Sequence, residues 1–323
     1  MKAARWVGLG QVVCEDVPVP LVAEGELLLR TAYTSICGSD LHRVFGGAPG
    51  EAEAIAPGHP GHESVGEVVE SRSAGFAPGD YVLAVPPMSV ARGLAEYQAV
   101  RASSCVRLPA GVPLSHLLMA QQLGTVVYAL RVHPLDLVGR DVAVIGQGSA
   151  GAFFTFLLKR AGAARVLVAD KSPARLAYSR QLGADLTVEA DSGDFLSAVL
   201  EATGGQGAGL VVEAVGSRAT FPLSLELAAP GATLIWFGLP EGEGDYPLSF
   251  RDFFRKRLTA YSVFNAQGEP GLESFRYAVQ LIADGAIDVG PLLSHQLPIE
   301  AVGAAFRIAH DRADGALKVS IKF

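Results

Sequence analysis

Two rhythms of apolar and polar positions divide the chain. From residue 1 to about 120, runs such as "EGELLLRTAYTS", "ESVGEVVES", "GDYVLAV" and "LAEYQAV" carry alternating or β-branched apolar positions, with "APGD" and "PAGVP" supplying turn chemistry. They predict short strands in an irregular antiparallel barrel. From about residue 121 the rhythm changes. "DVAVIG", "ARVLVAD", "DLTVEA", "GLVVEAVG", "ATLIWFG" and "LTAYSV" are short buried-strand runs, separated by helix-length segments such as "SPARLAYSRQLGA" and "DFLSAVLEATGG". Strands alternating with helices predict an α/β unit with a doubly wound parallel sheet. After about residue 265 come one more helix, "GLESFRYAVQLIADG", and a mixed tail ending in the strand-like "ALKVSIKF".

The glycines of "DVAVIGQGSAG" have the setting that gives a GxGxxG meaning. Gly146, Gly148 and Gly151, with Ala150 beside the third, follow a strand and open a helix. The first permits a tight turn, the second lets a pyrophosphate approach the backbone, and the third lets helix pack on strand. The phosphates would then face free N–H groups at a helix N-terminus. Asp170 ends the next strand, where an acid binds the ribose hydroxyls. Its charge would repel a 2′-phosphate and favours NAD over NADP; Lys171 and Arg175, both basic, would partly offset that repulsion.

Composition narrows the function further. With 323 residues, half of them hydrophobic, the chain suits two domains with a large core. A formal charge of −7 and no Lys/Arg cluster argue against a nucleic-acid surface. The most apolar helix candidate, "AGAFFTFLLKRAGA", meets Lys159 and Arg160 well short of the ~20 residues that span a bilayer, and "MKAARWVGLG" is no signal peptide. Cys14, Cys37 and Cys105 form no CxxC pair and no disulfide framework, which fits a reducing cytoplasm.

One cysteine stands out. Cys37 sits in the polar, hairpin-like "ICGSDLH", and "GHPGHESVGEV" follows soon after. A thiolate, an imidazole and a carboxylate make a zinc set, and Cys37, His62 and Glu63 supply one of each. "GHPGH" offers two histidines; the following "ESVGEV" favours His62 and leaves His59 as a loop residue.

In order and spacing, "CGSDLH", "GHESVGEV", "GDYV", "VIGQGSAG", "DKSPARLAYSRQLGAD", "VVEAVGS", "LAAPGATLIWFG" and "GALKVSIKF" resemble the zinc-dependent medium-chain alcohol and polyol dehydrogenases, over nearly the whole chain. The resemblance implies a GroES-like catalytic barrel over 1–123, a Rossmann NAD-binding domain over 124–264 and a return to the barrel over 265–323. It casts Cys37 and His62 as zinc ligands, with Glu63 as the adjacent acid that ligates the metal in some members. Ser39 would take the substrate proton, His42 would end the proton relay, and Asp40 would orient a ligand. Thr125, Gly238, Leu239 and Phe264, at strand ends or loops, match positions that contact the nicotinamide, and Gly216 lines the cofactor cleft. The activity implied is reversible oxidation of a secondary alcohol or polyol to a ketone with NAD.

The chain departs from this pattern twice. Gln121 stands where a further acidic or cysteine ligand is usual, and a neutral amide is a poor zinc ligand. Glu63 and Cys37 would together neutralise the dication with Gln121 bonded to a metal-bound water, or Glu63 would stay outside, or the metal would be absent. Between Asp80 and Gly93, where many relatives insert a four-cysteine lobe, only "YVLAVPPMSVAR" is present, so one catalytic and no structural zinc is expected. Two alternatives stay open: a zinc-free NADPH-dependent reductase of the same superfamily, and a non-catalytic dinucleotide-binding protein. The partners implied are a small alcohol or ketone and a second copy of the chain, as a homodimer or homotetramer, with no nucleic acid and no membrane.

Overall fold

A computed structural model describes residues 1–46, 55–191, 193–242 and 244–323. They form two compact units, Met1–Thr125 with Gln267–Phe323, and Val126–Ala266.

In the first unit, β1 (Lys2–Gly8) and β2 (Gln11–Asp16) make an antiparallel hairpin. β3 (Glu26–Ser35) leads into α1 (Gly38–Gly46). β4 (Ser64–Ser71), β5 (Tyr81–Ala84), β6 (Tyr97–Arg101) and β7 (Cys105–Arg107) follow, and then α2 (Leu114–Leu117) and α3 (Ala120–Arg131). The division between the units falls inside α3. Where the sequence suggests a hairpin-like segment around Ser39 there is instead a helix. Its first turn has a local cause: Asp40 reaches back to accept the Cys37 backbone N–H at 2.9 Å, half of a capping box.

The second unit alternates strand and helix: β8 (Asp141–Ile145), α4 (Ser149–Arg160), β9 (Arg165–Asp170), α5 (Pro173–Gln181), β10 (Leu186–Glu189), α6 (Phe195–Ala202), β11 (Ala208–Glu213), α7 (Thr220–Leu227), β12 (Ala228–Trp236), α8 (Phe250–Lys256) and β13 (Thr259–Ser262). Its strands are parallel in the order β10-β9-β8-β11-β12-β13, so the winding reverses between β8 and β11. Helices on both faces explain why β8, β9 and β11 read as unbroken apolar runs. Ala143, Ile145, Leu167, Val211 and Leu234 pack in one core with Phe195 and Val199 of α6. Trp236 belongs to this unit too: its ring meets Phe221 edge-on and its indole N–H donates to Ser224 at 3.1 Å.

The chain then returns to the first unit through α9 (Glu273–Ala283), β14 (Leu293–Pro298), α10 (Val302–Asp311) and β15 (Lys318–Lys322). The larger sheet runs β14-β15-β3-β4-β5-β7, with β6 also on β3. It is antiparallel except for β14 on β15. β15 is therefore an inner strand, and it lies against β3 just where the chain runs on to Cys37. Cys105 is one of the core residues of this sheet, and burial pushes its thiol up to about 12, so it is no thiolate ligand. Among the described residues, no helix is long and apolar enough to cross a membrane.

Candidate active site

Register brings the zinc-type side chains together. β3 and β4 pair antiparallel with Thr34 opposite Ser64, and the Ser35 N–H donates to the Glu63 carbonyl at 3.0 Å. Cys37, two residues beyond β3, therefore meets His62 and Glu63, which immediately precede β4. Ligating atoms of these three residues all lie within 4.8 Å of one another. His62 and Glu63 are 3% and 1% exposed.

Each donor is held from behind. Asp40 accepts from His62 Nδ1 at 3.1 Å, which turns the other ring nitrogen toward the cluster. Burial disfavours the charged ring, but Asp40 and then Cys37 outweigh it and raise the His62 pKa. Glu63 Oε2 accepts from Ser35 Oγ and pairs with Lys318 Nζ at 2.5 Å. Burial favours the neutral acid, yet Lys318 outweighs it and holds the Glu63 carboxyl below the usual range. Lys318 is itself 3% exposed; burial opposes its charge, and Glu63 more than restores it. Glu63 Oε1 is left buried with no hydrogen-bond partner.

Lys318 is one residue that sequence reasoning misses. In "ALKVSIKF" it looks like one of two outward lysines on an alternating strand. Pairing of Ser320 with Ser35 carries it alongside Cys37 instead. The only cue in the sequence is that two lysines bracket the strand-like "VSI", whose place in a sheet cannot be read locally. Lys318 Nζ also reaches Gln122 Oε1 at 3.5 Å. Gln121, its neighbour, is 2% exposed at the start of α3.

The remaining catalytic candidates are on α1. Ser39 and His42 are three apart and share a helix face, while Asp40 and Val44 are buried on another. Ser39 Oγ is buried without a hydrogen-bond partner. His59, the second histidine of "GHPGH", is 7% exposed; Nδ1 lies 3.1 Å from the Ala91 carbonyl, and burial holds its pKa down.

In the second unit, the glycine turn follows β8 and opens α4 as its sequence requires. A β-carbon on Gly151 would lie 1.9 Å from the Gly146 carbonyl oxygen, so only glycine fits the close approach of helix to turn. Ala150 lies in the first turn of α4. The residue between the first two glycines has an unforeseen role. Gln147 donates its N–H to Asp170 at 2.7 Å, and its side-chain oxygen accepts from Thr155 and Ser179, tying the turn to α4 and α5. Asp170 also accepts the Ser172 N–H and has Arg175 Nη1 at 3.8 Å. Lys171 turns away to an exposed pair with Asp191 at 3.0 Å.

The nicotinamide candidates are placed unevenly. Gly216 lies in the turn after β11, and Gly238 and Leu239 lie in the turn after β12. Phe264, just after β13, is 76% exposed. Thr125 is not at a strand end or in a loop: it lies inside α3, where its hydroxyl donates to the Gln121 carbonyl at 3.1 Å. The run "MAQQLGTVVYAL" holds no breaker after Gln121 except one glycine, and a helix tolerates that.

Comparison with known proteins agrees with this architecture. Residues 23–110 match the alcohol dehydrogenase GroES-like domain, and residues 151–284 match the zinc-binding dehydrogenase domain. L-threonine 3-dehydrogenase of Bacillus velezensis is 30% identical over 312 residues, covering 88% of each chain. Sorbitol dehydrogenase of Mus musculus is 26% identical over 98% of this chain and 94% of its own. Among solved structures, alcohol dehydrogenase TADH from Thermus sp. ATN1 superposes with a TM-score of 0.84 at 26% identity, over 100% of this chain and 99% of that one. The chain belongs to the zinc-type medium-chain dehydrogenases, oxidoreductases that act on alcohols and polyols.

Proposed function

We propose that this protein oxidises secondary alcohols or polyols to ketones with NAD, using one zinc held by Cys37, His62 and Glu63. The observation that carries the reading is the unpartnered, buried Glu63 Oε1 beside Cys37 and His62. A buried carboxylate oxygen without a donor is costly unless a cation meets it. Thiolate, imidazole and carboxylate are the donor types zinc prefers, and two negative donors match its charge. When bound, zinc supplies a Lewis acid that acidifies an alcohol, and the nicotinamide supplies the hydride acceptor.

The protein's own groups do the rest. Ser39 Oγ, unpartnered and buried, takes the hydroxyl proton, and His42, one turn on along the same face, hands it to solvent. Asp40 fixes the tautomer and tilt of His62. Gln121 hydrogen-bonds at the metal site without ligating. Gly146, Gly148 and Gly151 receive the pyrophosphate, and Asp170 binds the adenosine ribose. The chain works as a homo-oligomer.

Metal analysis of freshly purified protein, with titrations of NADH and NADPH, tests the reading. The expected result is about one zinc per chain and tighter NADH than NADPH. Protein that neither carries nor takes up zinc would overturn it in favour of a reductase or a cofactor-binding role. Asp170→Gly removes the charge that repels a 2′-phosphate while Arg175 remains, so the NAD/NADP preference in kcat/KM should fall about tenfold or more. An unchanged ratio would show that Asp170 does not meet the ribose.

A further inference from the structure

At the point where the winding of the parallel sheet reverses, β11 ends in a fully buried acid. Glu213 is 0% exposed, and nothing in its strand "GLVVEAVG" marks it as more than the last residue before a turn. Its hydrogen bonds set it apart. Its carboxylate Oε1 accepts the N–H of Val215 at 2.9 Å and of Gly216 at 2.8 Å. Its backbone carbonyl accepts the N–H groups of Phe237 and Gly238, each at 2.9 Å. One residue therefore gathers four backbone donors from two different turns.

Those turns pack backbone against backbone. A β-carbon on Gly238 would lie 2.2 Å from the Gly216 nitrogen and 2.5 Å from Glu213 Oε2, and one on Gly216 would lie 2.0 Å from the Leu239 carbonyl oxygen. Glu213 Oε2 is buried against Gly238 with no hydrogen-bond partner. Burying that oxygen is costly, and the two N–H groups on Oε1 offset the cost.

In a doubly wound sheet each half takes one mononucleotide, and the ligand lies across the carboxyl ends of the strands where the order reverses. The turn after β8 and Asp170 at the end of β9 belong to one half; the turns after β11 and β12 belong to the other. We propose that Glu213 is a positioning residue for the nicotinamide half of the cofactor: it fixes the turns at 214–217 and 237–239 and so sets affinity for that half alone. This rests on the dinucleotide reading above. Burial pushes the Glu213 carboxyl upward against the pull of the Gly216 N–H, so a neutral acceptor of the same shape is a fair substitute.

The test compares NADH with ADP, which carries only the adenosine and pyrophosphate half, by calorimetric titration of the full-length protein. Glu213→Asp draws the carboxylate back by one methylene and loses both N–H groups of the first turn. It should weaken NADH about tenfold or more, on the order expected for losing two buried hydrogen bonds, and leave ADP within about twofold. Glu213→Gln keeps the acceptor and should hold NADH within about threefold. Steady-state rates should show the Asp variant's loss chiefly in the KM for NAD rather than in kcat. Equal loss of NADH and ADP would mean general loosening and overturn the proposal, as would unchanged NADH in the Asp variant or equal loss in both variants. Wild-type protein that bound neither probe would overturn the dinucleotide reading itself, a result distinct from these.

Discussion

Cys37→Ser should leave purified protein with almost no zinc and lower alcohol turnover at least about a thousandfold, while NADH binds within about twofold of wild type. Serine keeps the shape of the loop, and Asp40 can still cap α1 through the backbone N–H of residue 37. What is lost is the soft, anionic donor, and a hydroxyl at neutral pH replaces neither property. His62 and Glu63 alone make a two-point site. Cofactor binding is expected to be spared because the glycine turn and Asp170, proposed above to hold the cofactor, belong to the other compact unit. Elemental analysis and an NADH titration on one preparation check both halves of the expectation. A serine variant that kept its zinc would move the metal site elsewhere.

The largest effect on stability should come from Lys318→Met. Glu63 and Lys318 are a fully buried pair at 2.5 Å, and methionine fills the volume while leaving the carboxylate with only the Ser35 hydroxyl. Breaking one side of such a pair costs about 3–5 kcal/mol, a fall in Tm on the order of 10 °C for a protein of this size. The metal makes the prediction specific. Zinc reaching Glu63 Oε1 would return a positive charge to the buried acid, so zinc should raise the Tm of chelator-treated Lys318→Met more than that of chelator-treated wild type. Lys318→Arg, which keeps the charge but must fit a larger head into a buried site, should lose less stability than Lys318→Met. Equal zinc-induced shifts in Met variant and wild type would rule out any contact between Glu63 and the metal.

What the sequence discloses, and what it hides, follows from how local each device is. Gly146, Gly148 and Gly151 are legible because one strand–turn–helix contains the whole reason for them: a turn, an approach, and a helix whose Gly151 has no room for a β-carbon, which would lie 1.9 Å from the Gly146 carbonyl oxygen. Cys37, His62 and Glu63 are legible as a donor set through residue type, although their meeting depends on the β3–β4 register. The helix at Gly38–Gly46 is hidden because "CGSDLH" is rich in residues that serve turns and helix starts equally well. Lys318 and Glu213 are hidden for a different reason. Each is a charged residue in or ending a strand, a pattern that normally signals solvent. Only long-range pairing reveals that β15 is an inner strand and that the β11 turn folds back on its own acid.

Gln121 illustrates the limit from the other side. As a departure from the usual ligand it raises the prospect of a lost metal site. On the proposed reading, the Glu63–Lys318 pair engages Oε2 and leaves Oε1 without a protein partner, which residue type alone does not disclose.

The Glu63–Lys318 pair also joins residues that are synthesised far apart in time. Glu63 leaves the ribosome with the first barrel strands, and its ammonium partner follows only after the whole of the second unit has been made. Domains tend to close in the order in which they emerge. Until β15 is made, Glu63 lacks its ammonium partner, and its carboxyl must stay in water or take up a proton. β15 is then the strand that completes the older half, and it brings the charge that the buried acid lacks.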